Sequence, residues 1–337
     1  MIGINGLGRI GRLAARRLAL HTPGLLRAIN DPADLKILVH LLRYDSVHSH
    51  DPLDVTGEAC DGQDFLVIEG QRIHLFHGQD PAEIPWESAG VSLVVESSGR
   101  FTRRAEAARH LRAGISHVII SAPSPDPDFT VIFPVNGAEL DLRQHRVISN
   151  ASCTAHATAP MLAVLEKAFG IQASTMSTVH VATNDQRLVD APHADLRRAR
   201  AAMLGIHPTT SSAFGALKKA MPWLRSDFDG WALRVPTLSV NLVDLTATVK
   251  TDVTAESVNH AFRVAAEGEL KGILGIAEAP LVSCDFTGRE ESVVMDLDLT
   301  RVLGGRFLKV FGWHDNEIAY AARLVELVRY VATGQGV

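Results

Sequence analysis

Residues 2–12 read Ile-Gly-Ile-Asn-Gly-Leu-Gly-Arg-Ile-Gly-Arg: an apolar run, glycines at positions 6, 8 and 11, and the start of an amphipathic stretch. Ile2–Asn5 reads as a strand and Arg9–Leu20 as a helix, so the glycines fall on a strand–turn–helix join. Each glycine has its own task there. Gly6 permits the tight turn, Gly8 lets backbone approach a pyrophosphate, and Gly11 lets the helix lie close on the strand. The free amides at the helix start, around Gly8, Arg9 and Ile10, then face the phosphates. A second strand, Leu26–Asn30, ends at Asp31, about 20 residues past the turn, as this fingerprint requires. The Asp31 carboxylate can accept hydrogen bonds from an adenosine ribose and repels a 2′-phosphate, which selects NAD over NADP. The plain alternative is a turn that merely tolerates glycine, with Asp31 capping a loop.

The same rhythm runs on for 150 residues. DFLVIEG and RIHLFH read as a hairpin, SLVVESSG and HVIISAP as buried strands, and Thr102–Ala113 between these two as a helix. Strands alternating with helices imply an α/β fold with a doubly wound, mostly parallel Rossmann-type sheet. From about Ala173 the pattern changes. STMSTVHVAT, WALRVPTLSVNLVDLTATVK, ESVVMDLDLTRV and RFLKVFGW are long alternating runs, which imply a mostly antiparallel sheet in a second, α+β domain. A last helix covers Glu317–Thr333. No repeat or low-complexity tract interrupts the 337 residues, a length that favours two domains.

Composition narrows the class. Hydrophobic residues make up 46% and charged residues 21%, which is ordinary for a globular chain, and no apolar run is long enough to span a bilayer. The net charge of −5 gives no dedicated nucleic-acid site, although Leu196–Arg200 is a local basic patch. Cys60, Cys153 and Cys284 are too few and too scattered for a disulfide framework or a zinc site. With no secretory signal at Met1, a reduced, cytoplasmic protein without a metal is expected.

The chemistry centres on SNASCTAH, residues 149–156. Ser152 reads as an N-cap, which puts Cys153 in the first turn of a helix, where terminal amides lower a thiol's pKa and can hold an oxyanion. Pro160 is expected to kink or restart that helix. His180, on the STVHVAT strand, is a basic partner of the type that nucleophilic cysteines need. Cys60 and Cys284 read as packing residues.

INGLGRIGR, INDP with YDSVH, ISAPS, SNASCT, STVH, RVPT and WHDNE occur in order along nearly the whole chain. In this the sequence resembles the phosphorylating glyceraldehyde-3-phosphate dehydrogenases. The resemblance implies an NAD-binding domain over 1–152 with the helix of 317–337 packed back on it, and a catalytic domain over 153–316. It implies Cys153 as nucleophile, His180 as general base, and Ser121 and Asn316 beside the cofactor. It also implies a substrate and phosphate site drawn from Ser152, Thr154, Thr183, Ser211, Ser212 and Arg234, a small aldehyde substrate with inorganic phosphate, and a homotetramer joined through the loop after His180.

The chain also departs from its relatives. Ala155 and His156 stand where the family usually carries Thr-Asn, and Ser211-Ser212 where it carries Thr-Gly. His156 is expected either to reach the nicotinamide or acyl pocket or to pack beneath the cofactor. Asp185 is expected at the place of a threonine that binds substrate phosphate. Together with the loop NDQRLVDAPHADLRRARA it resembles the erythrose-4-phosphate dehydrogenase branch. That points to water as acyl acceptor, or to a paralogue with another aldehyde and poor turnover of glyceraldehyde 3-phosphate. A semialdehyde dehydrogenase, a non-catalytic dinucleotide-binding relative and a cofactor-free cysteine hydrolase are the remaining alternatives.

Overall fold

The computed structural model describes residues 1–48, 53–112, 114–224 and 228–334. The chain divides into two units. The first comprises residues 1–133, 137–151 and the chain from Ala321 onward; the second comprises residues 134–136 and 152–320.

In the first unit, β1 (Ile2–Asn5), α1 (Arg9–His21), β2 (Leu26–Asn30) and α2 (Leu35–Arg43) follow the glycine turn. Then come β3 (Val55–Cys60), β4 (Gln63–Ile68), β5 (Gln71–Phe76), β6 (Leu93–Glu96), α3 (Arg104–Ala107), β7 (His117–Ile120), β8 (Phe129–Thr130) and β9 (Val147–Ser149). The strands form one sheet in the order β3-β4-β5-β2-β1-β6-β7-β9-β8. Pairing is parallel from β5 through β8, and antiparallel between β3, β4 and β5. Its central strands are apolar on both faces, as strands covered by helices on each side must be. Ile2, Ile4, Ile29 and Val95 are buried in one cluster with Leu18 of α1 and Leu324, Leu327 and Val328 of the last helix. Each such side chain contributes about 1.5–3 kcal/mol on burial. The chain leaves β1 towards β2 on one side and later returns to β6 on the other. The crevice at the carboxyl ends of β1 and β6 is therefore the topological switch point, where this architecture binds ligands.

The predicted helix over 102–113 is shorter than its periodicity suggests. Arg104–Ala107 is α-helical and Ala108–His110 tightens to a 3-10 turn, while Ala113 lies outside the described residues. His110 is drawn fully into the interior by hydrogen bonds to Glu96 and Trp86, and this tertiary pull overrides helical propensity.

The second unit carries α4 (Cys153–Phe169), β10 (Ile171–Val181), β11 (His207–Thr209), α5 (Ala213–Ala220), β12 (Phe228–Val235) and β13 (Asn241–Val249). It continues with α6 (Ala255–Glu267), β14 (Leu274–Ala277), β15 (Val293–Leu303), β16 (Phe307–His314) and the start of α7 (Ile318–Thr333). The sheet order is β11-β12-β10-β13-β16-β15-β14. Most pairs are antiparallel, but β10–β12 and β14–β15 are parallel, so the sheet is mixed. The long run 231–250 is two strands, because Pro236 removes a donor and Val240 turns the chain with φ of 68°.

Helix α4 neither breaks nor restarts at Pro160. The missing N–H forfeits only the bond to the His156 carbonyl, and burial on nearly every side holds the helix together.

Candidate active site

The glycine turn has the shape a dinucleotide needs. Gly6 has φ of 95°, and a Cβ there would lie 2.5 Å from the Ser98 backbone. At Gly11 a Cβ would sit 2.0 Å from the Gly6 carbonyl, whereas at Gly8, the N-cap of α1, nothing lies within 4 Å. Two glycines thus close the turn, and the third leaves backbone open to an approaching group. Asp31 reaches across from β2: Oδ2 accepts from Leu7 N at 2.7 Å and Oδ1 from Ala33 N at 3.0 Å. Arg9 bonds Asp45 at 2.7 Å, and Ser121 Oγ donates to Ser97 Oγ at 2.9 Å. Ile10 is half-buried behind the turn. Asp31→Ala is expected to narrow the preference for NAD over NADP by about tenfold to a hundredfold, the scale of one close like-charge contact. Parallel titrations of both dinucleotides check this, and an unchanged ratio would remove Asp31 from the ribose.

Local sequence builds the second centre equally directly. Ser152 caps α4, its Oγ accepting from Ala155 N at 3.2 Å, a contact worth about 1 kcal/mol. Cys153 thereby starts the helix with Sγ 3.8 Å from His180 Nε2 and 3.9 Å from Thr154 Oγ1. His180 and Arg234 are register partners on the parallel strands β10 and β12. Arg234 Nη1 lies 2.7 Å from His180 Nδ1, 3.1 Å from the Val181 carbonyl and 3.3 Å from Thr183 Oγ1.

His180 Nδ1 also lies 2.9 Å from the Val181 carbonyl. It can donate there or accept from Arg234, but not both. With the proton on Nδ1, Nε2 is a bare lone pair facing the thiol. With the proton on Nε2, Nδ1 accepts from Arg234 and the ring donates towards sulfur. Both neutral tautomers therefore have a partner. The imidazolium would press Nδ1–H against a guanidinium. Accordingly, burial first and Arg234 second hold His180 well below the ordinary histidine range.

The thiol corrects one expectation. Burial raises the Cys153 pKa, outweighing the Thr154 hydrogen bond, Arg234 and the backbone amides that lower it. Part of the residue reaches the surface, but protein surrounds the sulfur closely enough for lost hydration to dominate. Both shifts favour the uncharged forms, thiol and neutral imidazole.

Asp185 is engaged by other side chains. Thr183 Oγ1 bonds Arg234, while the Asp185 carboxylate pairs with Arg198, stands 3.5 Å from His193 Nε2 and acts on Arg234 electrostatically. An aspartate held by an arginine does not present a bare charge to a phosphate. Nor is Leu196–Arg200 a free basic patch: Arg198 also meets Asp195, Arg200 bonds Asp190 at 3.0 Å, and Arg197 donates to the Pro208 carbonyl. Ser211 Oγ accepts from Ala213 N at 3.2 Å, and Ser212 is the N-cap of α5. Asn316 Oδ1 accepts from Val240 N at 3.2 Å, holding a β-branched residue in the left-handed region, a conformation that costs about 1–3 kcal/mol. His156 is buried in α4 with its ring edge-on to Tyr320, centroids 5.9 Å apart.

Two residues escaped sequence reasoning. Arg198 acts electrostatically on both His180 and Arg234, so two cations serve this centre. Its signal was the arginine cluster, read only as a surface patch. His314 is fully buried, its pKa lowered to about 3 by desolvation, and it too depresses His180. It lies across from Asn241 in the β13–β16 register. Nothing in the sequence around it, WHDNE, singles out the histidine.

A mostly parallel sheet with a glycine turn after its first strand, and a second unit in which a thiol at a helix start meets an imidazole on a mixed sheet, define a nicotinamide-dependent dehydrogenase working through cysteine. Residues 1–104 match the glyceraldehyde 3-phosphate dehydrogenase NAD binding domain, and residues 152–316 match the C-terminal domain of the same family. Similar proteins include glyceraldehyde-3-phosphate dehydrogenase 1 of Bacillus subtilis, 48% identical over 98% of each chain. The glyceraldehyde-3-phosphate dehydrogenases of Geobacillus stearothermophilus and Mycobacterium avium are 47% and 46% identical, again over 98% of each chain. The chain belongs to the glyceraldehyde-3-phosphate dehydrogenase family. It is an NAD-dependent oxidoreductase with that family's type of activity. The erythrose-4-phosphate-type and non-catalytic alternatives are not favoured, because well-covered relatives carry the glyceraldehyde-3-phosphate name. No described helix is long and apolar enough to cross a membrane.

Proposed function

We propose that the protein oxidises glyceraldehyde 3-phosphate to an acyl phosphate through a thioester on Cys153, with inorganic phosphate as acyl acceptor. The observation that carries this reading is the 3.8 Å approach of Cys153 Sγ and His180 Nε2 beside the Arg234–Thr183 contact. Gly8, Arg9, Ile10, Asp31, Ser121 and Asn316 hold NAD, which supplies the acceptor for the aldehydic hydride. In the first step the sulfur bonds the carbonyl carbon, and the thiol proton passes through Nε2 to the new oxyanion. Nε2 then takes the hydroxyl proton of the thiohemiacetal as its C–H bond gives up hydride, leaving a thioester. Phosphate attacks the thioester carbon, the C–S bond breaks, and the leaving sulfur recovers the proton from Nε2.

Ser152, Thr154, Thr183, Ser211, Ser212, Arg234 and Arg198 supply hydroxyls and cations for the two anions, with Asp185 orienting Arg198. An anion here screens His180 from both arginines, so binding of substrate or phosphate raises the basicity of Nε2 when it is needed. The protein is further proposed to act in the cytoplasm, with three free cysteines. A homotetramer would cover Leu188, Val189, Leu196, Leu204 and Ile206, apolar side chains exposed on the loop after His180.

Steady-state NAD reduction with glyceraldehyde 3-phosphate, with phosphate supplied or withheld, tests the proposal. Turnover is expected to depend strictly on phosphate, with erythrose 4-phosphate a poorer substrate. Undiminished turnover to a free acid without phosphate would overturn it.

A further inference from the structure

A buried polar chain in the first unit plays no part in the chemistry above. At the carboxyl end of β6, Glu96 is 2% exposed and receives four donors. Asn5 Nδ2 at 2.5 Å and His110 Nε2 at 3.0 Å meet Oε2; Ser98 N at 2.8 Å and the Ser98 hydroxyl meet Oε1. Asn5 Nδ2 and Ser98 N can only donate, so each carboxyl oxygen accepts at least one bond. His110, buried completely, has its other nitrogen 3.1 Å from Trp86 Nε1, a group that can only donate. Nδ1 is therefore a lone pair, Nε2 carries the ring's single proton, and His110 is neutral. The donors around Glu96 are uncharged groups; His110 is the only basic side chain within ion-pair range among the described residues.

Two of the groups bound to this carboxylate, Ser98 and Asn5, adjoin the glycine turn. Ser98, fixed by two bonds to Oε1, presents the backbone atoms that abut Gly6 and exclude a Cβ there. Asn5 directly precedes Gly6, and its Oδ1 accepts from Asn30 Nδ2 at 2.8 Å. Asn30 directly precedes Asp31, its carbonyl accepts from Gly6 N at 2.7 Å, and its side chain exchanges two bonds with the Gly78 backbone. One carboxylate therefore ties together the ends of β6, β1 and β2 around the switch point.

We infer that the Trp86–His110–Glu96 chain is a positioning device for the dinucleotide, setting the glycine turn and Asp31 in binding geometry. Glu96 is too buried and too fully bonded to be a ligand; it acts through Ser98, Asn5 and Asn30. The neutral imidazole gives Glu96 a further uncharged donor. Asn5 and Ser98 stay pinned as donors to its two oxygens.

The inference rests on NAD binding at this turn, and the experiment separates the two. In Glu96→Gln an amide replaces one acceptor and faces the donors of Asn5 and His110. NAD is expected to bind about tenfold or more weakly, as loss of a buried hydrogen bond implies. Alkylation of Cys153 without NAD should proceed at the wild-type rate, showing that the catalytic unit is intact. In wild-type protein, 15N spectra should show one bare and one protonated nitrogen on His110 at neutral pH. If Glu96→Gln does not fold, Trp86→Phe removes only the outermost donor and should still weaken NAD binding. A folded variant that binds NAD as tightly as wild type, or a His110 imidazolium, overturns the inference. If Asp31→Ala also leaves both dinucleotides unaffected, it is the placing of NAD that fails; if Asp31→Ala acts and Glu96→Gln does not, only the positioning role fails.

Discussion

Cys153→Ser is expected to abolish NAD reduction while NAD binds within about twofold of wild type, since the glycine turn proposed to hold the cofactor belongs to the other unit. The Cys153 sulfur, 3.8 Å from His180 Nε2, is the atom placed to form a thioester. A serine hydroxyl in its place ionises several pKa units higher, and neutral His180, already depressed by burial and Arg234, is too weak a base to make up the difference. Even if an ester formed, phosphate would displace it far more slowly than a thiolate leaving group. Stopped-flow absorbance at the NADH band, beside a direct titration of NAD, reads both halves of the expectation. Turnover persisting in the serine variant would require another nucleophile. The other cysteines offer none, because both Cys60 and Cys284 are exposed and neither shares the Cys153 contacts with His180 and Thr154.

What was legible in the sequence was what local chemistry fixes. Glycines 6, 8 and 11 announce a turn because backbone geometry admits nothing larger at two of them, and the Ser152 cap marks where α4 begins. The alternation of β13, buried at every second residue, gives its strand and its inner face together. What stayed hidden depends on partners far away in the chain. The charge of Asp185 is visible as a letter, but its capture by Arg198, thirteen residues on, is not. The thiol's position at a helix start suggests a lowered pKa, and only the surrounding protein reveals that lost hydration outweighs the amides. The 3-10 turn at His110 follows from a hydrogen bond to Glu96 fourteen residues away, which no periodicity encodes. Parallel pairing of β10 with β12 brings Arg234 level with His180, and register of that kind is a property of the assembled sheet.

His180→Asn is expected to slow hydride transfer by about 10²–10⁴-fold, the usual worth of a positioned general base. Asparagine can donate a hydrogen bond towards sulfur or an oxyanion, but it cannot take the hydroxyl proton of the thiohemiacetal. The loss should therefore fall on kcat more than on aldehyde binding. The pH dependence carries the sharper test. The His180 pKa is lowered, so the imidazole remains a bare base below the pH at which an ordinary histidine, near 6.5, would be half protonated. The acid limb of wild-type alkylation by iodoacetamide should accordingly lie below that point, not at it. The Cys153 pKa is raised, so the unassisted thiolate grows only as pH climbs through and past 9. Removing His180 takes away the assisted route and leaves the unassisted one. The asparagine variant should then alkylate slowly at neutral pH and approach the wild-type rate only in strong base. An identical profile in both proteins would show that His180 does not accept the thiol proton, and would leave it the lesser part of an oxyanion donor.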